Sequence, residues 1–306
     1  MRNLPPSLIA PVQEALRRRG DDTALVDAQP VGGGCINNGL RLSTEKSIYF
    51  LKWNSRPLPG MFPLEARGLQ LIAETHTVRV PQVIGTGEPA PTIPAYILME
   101  WLESSREERR FDGMARLGEQ LAAMHRIGVP QRNPLAFGLD SDNYIGSTPQ
   151  SNGWEPDWVV FFCERRLRPQ MELARANGHL PAHRQRRLEI LMDRLPSLIG
   201  KHKVQPSLLH GDLWGGNVLP IAGGELALID PAVYYGDREA ELAFTHLFGG
   251  FSEAFYRAYQ SVWPLEAGFT ERIDLYNSYH LLNHLNLFGE GYGSQVDAIL
   301  ARYTGL

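Results

Sequence analysis

Cysteine is scarce in this chain: among 306 residues only Cys35 and Cys163 occur. Two thiols cannot build a disulfide framework, and a chain of this length buries enough surface to do without one. A reducing, cytoplasmic setting is therefore expected. No apolar run approaches the ~20 residues that a membrane-spanning helix needs. Residues 1–22, with Arg17, Arg18 and Arg19 after weak apolar positions, do not read as a signal peptide. A charge excess of one sign is missing too. The net charge of −4 and pI near 6.2 give no global field for nucleic acid or an anionic membrane, so neither is an expected partner and any anionic ligand must be held locally. Internal repeats of solenoid or propeller period are not seen. What is left is a globular composition, 43% hydrophobic and 21% charged, in a chain long enough for two lobes.

Against this plain background one stretch stands out. Leu208-Leu209-His210-Gly211-Asp212-Leu213-Trp214-Gly215-Gly216-Asn217-Val218 is followed closely by Leu226-Ala227-Leu228-Ile229-Asp230-Pro231. Two short apolar runs each deliver a carboxylate at a chain reversal, and the first carboxylate is followed five residues later by an amide. Two Asp at turns would be commonplace; the combination is not. Phosphoryl transfer asks a protein for positioning and charge neutralisation more than for covalent chemistry, so carboxylates must converge from neighbouring strand ends. The spacing matches a kinase catalytic loop and metal-binding loop, with Asp212 as the base that takes the hydroxyl proton and Asn217 and Asp230 as magnesium ligands beside the ATP phosphates.

The upstream half supplies the other parts of such a site. Leu8, Val12 and Leu16 predict a short amphipathic helix ending near Gly20. Gly32, Gly33, Gly34 and Cys35 form a glycine-rich turn before two alternating runs, Leu40 to Thr44 and Ser47 to Trp53, and glycines there let backbone amides approach phosphate oxygens. Cys35, beside those amides, reads either as a small inert residue chosen for its size or as a reactive thiolate; in the second reading a disulfide between two such loops would give a redox-dependent dimer. Cys163, among apolar neighbours, is expected to be inert. Lys52 is a lone cation in an apolar strand, costly to bury without a partner. Glu65, on a helix predicted from about Leu64 to His76, is the expected partner. Val83–Gly87 and Ala95–Glu100 read as strands. Glu100 to Glu103 would be the hinge, where Met99, Glu100 and Leu102 meet the adenine through backbone groups and packing.

Beyond the hinge the pattern turns helical. Phe111, Met114, Leu117, Leu121 and Met124 predict a core helix capped at Gly128. Asn143 to Gly153 reads as a loop. Trp154 and Trp158, beside acids at the next helix start, are candidates for a wall that holds a sugar or an amine, with core packing as the plainer role. A helix is expected over about Ala182 to Ile199, and another beginning near Tyr234 with Asp237 as cap. Asn277, His280 and His284 fall on one stripe of a helix near Arg272 to Phe288, read as the lining of a cleft or a solvated face. The fold class expected is α+β, a two-lobed protein-kinase-like fold with a β-rich lobe at 1–102 and a mainly helical lobe at 103–306.

Further segments extend the resemblance over nearly the whole chain: Trp158 to Phe162, Arg168-Pro169-Gln170-Met171, Trp214-Gly215-Gly216, Phe248-Gly249-Gly250-Phe251, and Tyr279 to Asn286. With the glycine turn and the His-Gly-Asp loop they make the chain similar to the ketosamine (fructosamine) kinases, a branch of the aminoglycoside-phosphotransferase-like kinases. The resemblance implies ATP- and magnesium-dependent phosphorylation of the sugar 3-hydroxyl of a ketoamine, small or protein-bound, in the repair of glycated amines. Trp154, Trp158, Trp214 and His284 are then the candidate substrate residues. The His-Gly-Asp core alone is equally compatible with an aminoglycoside or other small-alcohol kinase, and a nucleotide-binding pseudokinase is disfavoured because the residues required for chemistry are present.

Overall fold

Strand-forming runs over residues 25–54 and 83–100, alternating in Asn38–Thr44 and continuously apolar in Ala95–Met99, build one sheet, and the helical periods that follow build a separate core. The computed structural model describes residues 3–32, 36–104, 111–130, 133–200 and 203–305. The chain divides into two compact units, Met1–Gly113 with Val218–Pro231, and Met114–Asn217 with Ala232–Leu306. No helix among the described residues is long and apolar enough to cross a membrane.

In the first unit, strands β1 (Leu25–Val31), β2 (Asn38–Thr44), β3 (Ile48–Asn54), β4 (Val83–Gly87) and β5 (Ala95–Glu100) form an antiparallel sheet of order β1-β2-β3-β5-β4. Helix α1 (Pro6–Arg18) lays Leu8, Val12 and Leu16 onto Leu40, Leu42, Leu51 and Leu98 of that sheet. Helix α2 (Met61–Glu74) begins at Met61, ahead of the expected Leu64. Pro63 falls in its first turn, where a missing N–H leaves no helical bond unmade. The hairpin of Val218–Ile221 and Glu225–Leu228 belongs to this unit as well. It is tied in by bridges from Arg79 to Ala227 and from Ser104 to Ile221, and it leads directly to Asp230.

The second unit is mainly helical: α3 (Phe111–Ile127), α4 (Trp158–Phe161), α5 (Arg168–Ala176), α6 (Ala182–Ile199), α7 (Arg238–Leu247), α8 (Glu253–Val262), α9 (Phe269–Phe288) and α10 (Gly293–Thr304). Asp237 caps α7 by accepting the Glu239 N–H. Three expectations are corrected. The segment expected as a loop holds a small hairpin, Asn143–Ile145 with Thr148–Gln150, reversed at Gly146 with φ 61°. Tyr234–Gly236, expected as a helix start, is a strand paired with Ser207–Leu209. The stripe on α9 neither faces solvent nor lines an open wall at Asn277 and His280, which are 1% and 4% exposed.

A π-helical turn, Phe162–Leu167, joins α4 to α5. Arg166, four residues after the buried Phe162, is fully buried in it. The guanidinium lies 3.9 Å over the Tyr234 ring and 4.6 Å over Phe161, and donates to the Ser151 carbonyl and Asn152 Oδ1. A fully buried cation thereby braces the Tyr234 strand, whose partner strand runs into His210.

Candidate active site

Lys52 stands in the centre of β3, opposite Gly39 on one side and Ile97 on the other. Its Nζ lies 2.7 Å from Glu65 Oε1 and 2.7 Å from Asp230 Oδ1. Burial alone would push the ammonium pKa down, but the Asp230 and Glu65 carboxylates outweigh it, so the pKa is raised and Lys52 is charged. Burial drives the Glu65 carboxyl up, against the pull of Lys52. Two carboxylates thus share one ammonium, and they differ in access: the side chain of Glu65 is 12% exposed and that of Asp230 47%. Asp230 also holds a left-handed backbone, φ 55°, shared by only one other described non-glycine residue, His76. Such a conformation in a non-glycine residue costs on the order of 1 kcal/mol or more and is tolerated where its surroundings demand it. Here it precedes Pro231, which bars the ordinary helical alternative.

In the second unit Asp212 and Asn217 meet. The two amide hydrogens of Asn217 go to the Asp212 backbone carbonyl (2.8 Å) and to its Oδ2 (3.1 Å). The Asn217 amide oxygen is the atom left for another partner. The loop that carries Asp212 is held from below by Glu241, which accepts the backbone N–H of Gly211 at 2.7 Å and of His210 at 3.1 Å. Glu241 also takes His125 Nε2 at 2.9 Å, and His125 Nδ1 meets the Tyr259 hydroxyl at 2.8 Å. Burial would raise the Glu241 carboxyl pKa, yet these bonds and the nearby histidines hold it below the usual range. Gly211 has φ 82°, and a Cβ there would lie 2.0 Å from the Ala232 carbonyl oxygen. Only glycine lets the two segments cross there.

The glycine pairs of the two motifs explain one another. A Cβ on Gly250 would come within 2.9 Å of the Gly215 Cα, and one on Gly216 within 2.2 Å of the Trp214 ring. The Trp-Gly-Gly and Phe-Gly-Gly-Phe segments are therefore packed backbone to backbone, with Trp214 folded over its own glycine. Trp214 meets Phe248 at 6.4 Å, and Phe248 meets His284 at 4.8 Å, so two of the four substrate candidates share one surface. Trp154 is elsewhere, stacked on Tyr235 at 5.9 Å with its Nε1 on Asp140. Trp158 is 3% exposed, in the core with Phe137, Phe162 and Tyr276, and donates to the Tyr276 hydroxyl. Packing is what it does.

At the strand end, Met99 is buried opposite Phe50, and the Glu100 carboxylate is taken by Arg79 and the Gln82 N–H. Leu102 is half-buried. Gly32 is exposed, whereas Gly33, Gly34 and Cys35 lie outside the described residues. The Cys163 thiol is pushed up to about 11, chiefly by burial, away from the thiolate form in which a cysteine reacts. His125 and Glu241 were not found by sequence reasoning; Glu241 lies in a segment read only as a helix start.

No group of three His, Cys, Asp or Glu side chains that could hold a metal occurs among the described residues. Magnesium is bound through one or two protein oxygens together with substrate phosphates and water. The half-exposed Asp230 carboxylate and the Asn217 amide oxygen are oxygen donors of that kind.

An ammonium held between a helix carboxylate and a strand-end carboxylate, and a His-Gly-Asp loop with its bound Asn, define a phosphotransferase. Solved aminoglycoside phosphotransferases, at 15–18% identity and TM-scores of 0.62–0.66, share the fold, which is thus α+β and protein-kinase-like. The sequence model of the fructosamine kinase family matches residues 9–305, and the chain belongs to that family. It is 42% identical over 289 residues to a probable ketoamine kinase of Synechocystis, covering 94% of each chain. It is 40% identical to the chloroplastic protein-ribulosamine 3-kinase of Arabidopsis thaliana, over 96% of this chain and 87% of the other. A crystal structure of a candidate fructosamine-3-kinase from Thermobifida fusca superposes with a TM-score of 0.85 at 30% identity, covering 98% and 99% of the two chains.

Proposed function

We propose that this enzyme transfers the terminal phosphoryl group of ATP to the sugar 3-hydroxyl of a ketosamine, the adduct formed when a reducing sugar glycates an amine. The observation that carries phosphoryl transfer is the Lys52 ammonium held at 2.7 Å by both Glu65 and Asp230. Membership of the fructosamine kinase family carries the acceptor. In this reading Asp212 receives the proton of the attacking hydroxyl, and the Asn217 amide fixes which carboxylate oxygen faces it. Lys52, oriented by Glu65, neutralises the nucleotide phosphates. Asp230 and the Asn217 amide oxygen would hold magnesium, which would supply positive charge against the charge developing on the phosphates. Gly32 to Cys35 cover the phosphates, while Met99, Glu100 and Leu102 meet the adenine at the hinge between a nucleotide lobe, 1–102, and a catalytic lobe, 103–306. The occupied Glu100 carboxylate supports recognition of adenine through backbone groups. The product's 3-phosphate makes the adduct fall apart, so the role is cytoplasmic repair of glycated amines.

The test is a panel of fructosyl-, ribulosyl- and erythrulosyl-amines, choline and aminoglycosides, assayed for ATP turnover with the phosphorylated position read by phosphorus NMR. Ketosamines should have the highest kcat/KM, since a site that pairs sugar hydroxyls discriminates against ligands lacking them. An aminoglycoside as best substrate overturns the acceptor assignment. Asp212→Asn should lower turnover ~100-fold or more with nucleotide binding retained, and Asp230→Ala should abolish magnesium-supported turnover. Near-normal turnover in Asp212→Asn would remove the base.

A further inference from the structure

Three phenylalanine or tryptophan side chains are exposed among the described residues, Trp214 (41%), Phe248 (38%) and Phe288 (58%), and all three lie on one run of rings. Trp214 touches Phe248, Phe248 lies 4.8 Å from His284, and His284 lies 5.6 Å from Phe288 and 5.2 Å from Tyr292. Phe288 and Tyr292 close the run at 6.1 Å. His284 is a half-buried member. Its Nδ1 donates to the His280 carbonyl at 2.8 Å, and burial lowers its pKa. Three exposed rings linked through the half-buried His284 and Tyr292 form an apolar patch of the kind that marks a binding surface.

Its position says what. Trp214 follows the base, Asp212, by two residues, and the backbone interlock of Gly215 with Gly250 ties Phe248's segment to the same loop. In a ketosamine the amine nitrogen is separated from C3 only by C2 and C1. A sugar presented to Asp212 at its 3-hydroxyl therefore has its nitrogen close by, and that nitrogen is a secondary ammonium at neutral pH, which uncharged ring faces attract. The adduct of a small amine ends there, whereas the rings continue through His284 to Phe288 and Tyr292. The adduct of free lysine would bring a free carboxylate and a second ammonium over rings that cannot pair with the carboxylate. In a polypeptide both of those groups are amides.

We infer that this aromatic ledge receives the amine side of the substrate, and that its occupant is the lysine stem and flanking chain of a glycated polypeptide. The inference rests on the ketosamine reading above. Outer rings Phe288 and Tyr292 then select for peptide-borne substrate, while Trp214 attends the nitrogen.

The experiment compares two ketosamines of the same sugar, one on methylamine and one on a lysine within a terminally blocked hexapeptide, for wild type and Phe288→Ala, with folding checked by thermal denaturation. Wild type should show a higher kcat/KM for the peptide. In Phe288→Ala the peptide-to-methylamine ratio should fall ~10-fold, through KM for the peptide, as expected for loss of one ring's contact. An unchanged ratio, or no peptide preference in wild type, overturns the inference while leaving the ketosamine reading intact. If neither adduct is phosphorylated, the ketosamine reading fails and the inference falls with it. Should sedimentation reveal a wild-type dimer that Phe288→Ala converts to monomer, the ledge is a contact between copies and the inference is also overturned.

Discussion

The Glu241 carboxylate, whose side chain is 0% exposed, accepts the backbone N–H of Gly211 at 2.7 Å, so a buried charge on α7 holds the loop that presents Asp212. Glu241→Gln keeps the shape but offers one acceptor oxygen where two are used. Turnover should drop ~10-fold or more, because loss of a charge-assisted bond loosens a positioned group. Glu241→Ala should in addition destabilise by ~3 kcal/mol, leaving two buried N–H groups and His125 without their acceptor. Kinetics and denaturant titration separate the two effects. A Gln variant with unaltered kcat would deny the carboxylate any positioning role.

Lys52→Met removes the one ammonium between Glu65 and Asp230. Nucleotide affinity should weaken sharply, and stability should fall by roughly 3 kcal/mol at neutral pH because Glu65 is left buried without its cation. Adding Glu65→Gln should restore stability but not turnover. Thermal denaturation and calorimetric titration with nucleotide check both halves, and equal stability of the single and double variants would contradict the account.

Gly249 and Gly250 are both left-handed, φ 71° and 97°, yet a Cβ meets nothing at Gly249 and meets Gly215 at 2.9 Å at Gly250. Gly249→Ala should cost only backbone strain, ~1 kcal/mol. Gly250→Ala should cost more and should also lower kcat/KM by ~10-fold, since it pushes the Trp214 loop. Equal effects at both positions would mean that the interlock has no functional weight.

Acid should destabilise the protein in two stages. Burial pushes the Asp21 carboxyl up, but hydrogen bonds from Thr23, Thr44 and Tyr49 outweigh it and bring the pKa to about 2, against 3.8. A carboxyl depressed on folding contributes stability that is present above about 3.8 and is lost as pH falls through about 2, on the order of 2 kcal/mol. His280 acts earlier. Burial holds its pKa well below 6.5, so below that pH the unfolded chain gains a proton that the folded chain does not, and stability declines. Tyr49→Phe should shrink the lower stage and leave the upper one. Denaturant midpoints between pH 7 and pH 2 report both.

Single-face periodicity made much of this fold legible. Helix α6 and strands β4 and β5 lie where they were expected: α6 buries Leu188, Leu191, Leu195 and Ile199 at helical spacing, whereas β5 reads as a continuous apolar run because Ala95 to Met99 are buried on both faces. The π-helical turn Phe162–Leu167 was not legible, because the four-residue spacing from buried Phe162 to buried Arg166 is one an α-helix shows as well. Trp158 shows a different limit, since a tryptophan at a helix start has the same spacing whether it packs inward or faces a ligand. Asp212, Asn217 and Asp230 stood out through fixed local offsets. Glu241 and His125 did not, because they are separated by 116 residues and are joined only by folding.

The hairpin 218–228 returns to the first unit after the chain has built much of the second, and this imposes an order on synthesis. Lys52 is made 178 residues before Asp230. A nascent chain emerging from the ribosome holds the strand and the Glu65 helix long before it holds the second carboxylate. The ammonium must therefore spend that interval with one partner, in a unit still lacking its last two strands. Domains generally fold as units during elongation, but the first unit here cannot be completed until residue 231 is clear. A fragment ending at Gly113 would accordingly hold the whole five-stranded sheet but lack the hairpin and Asp230.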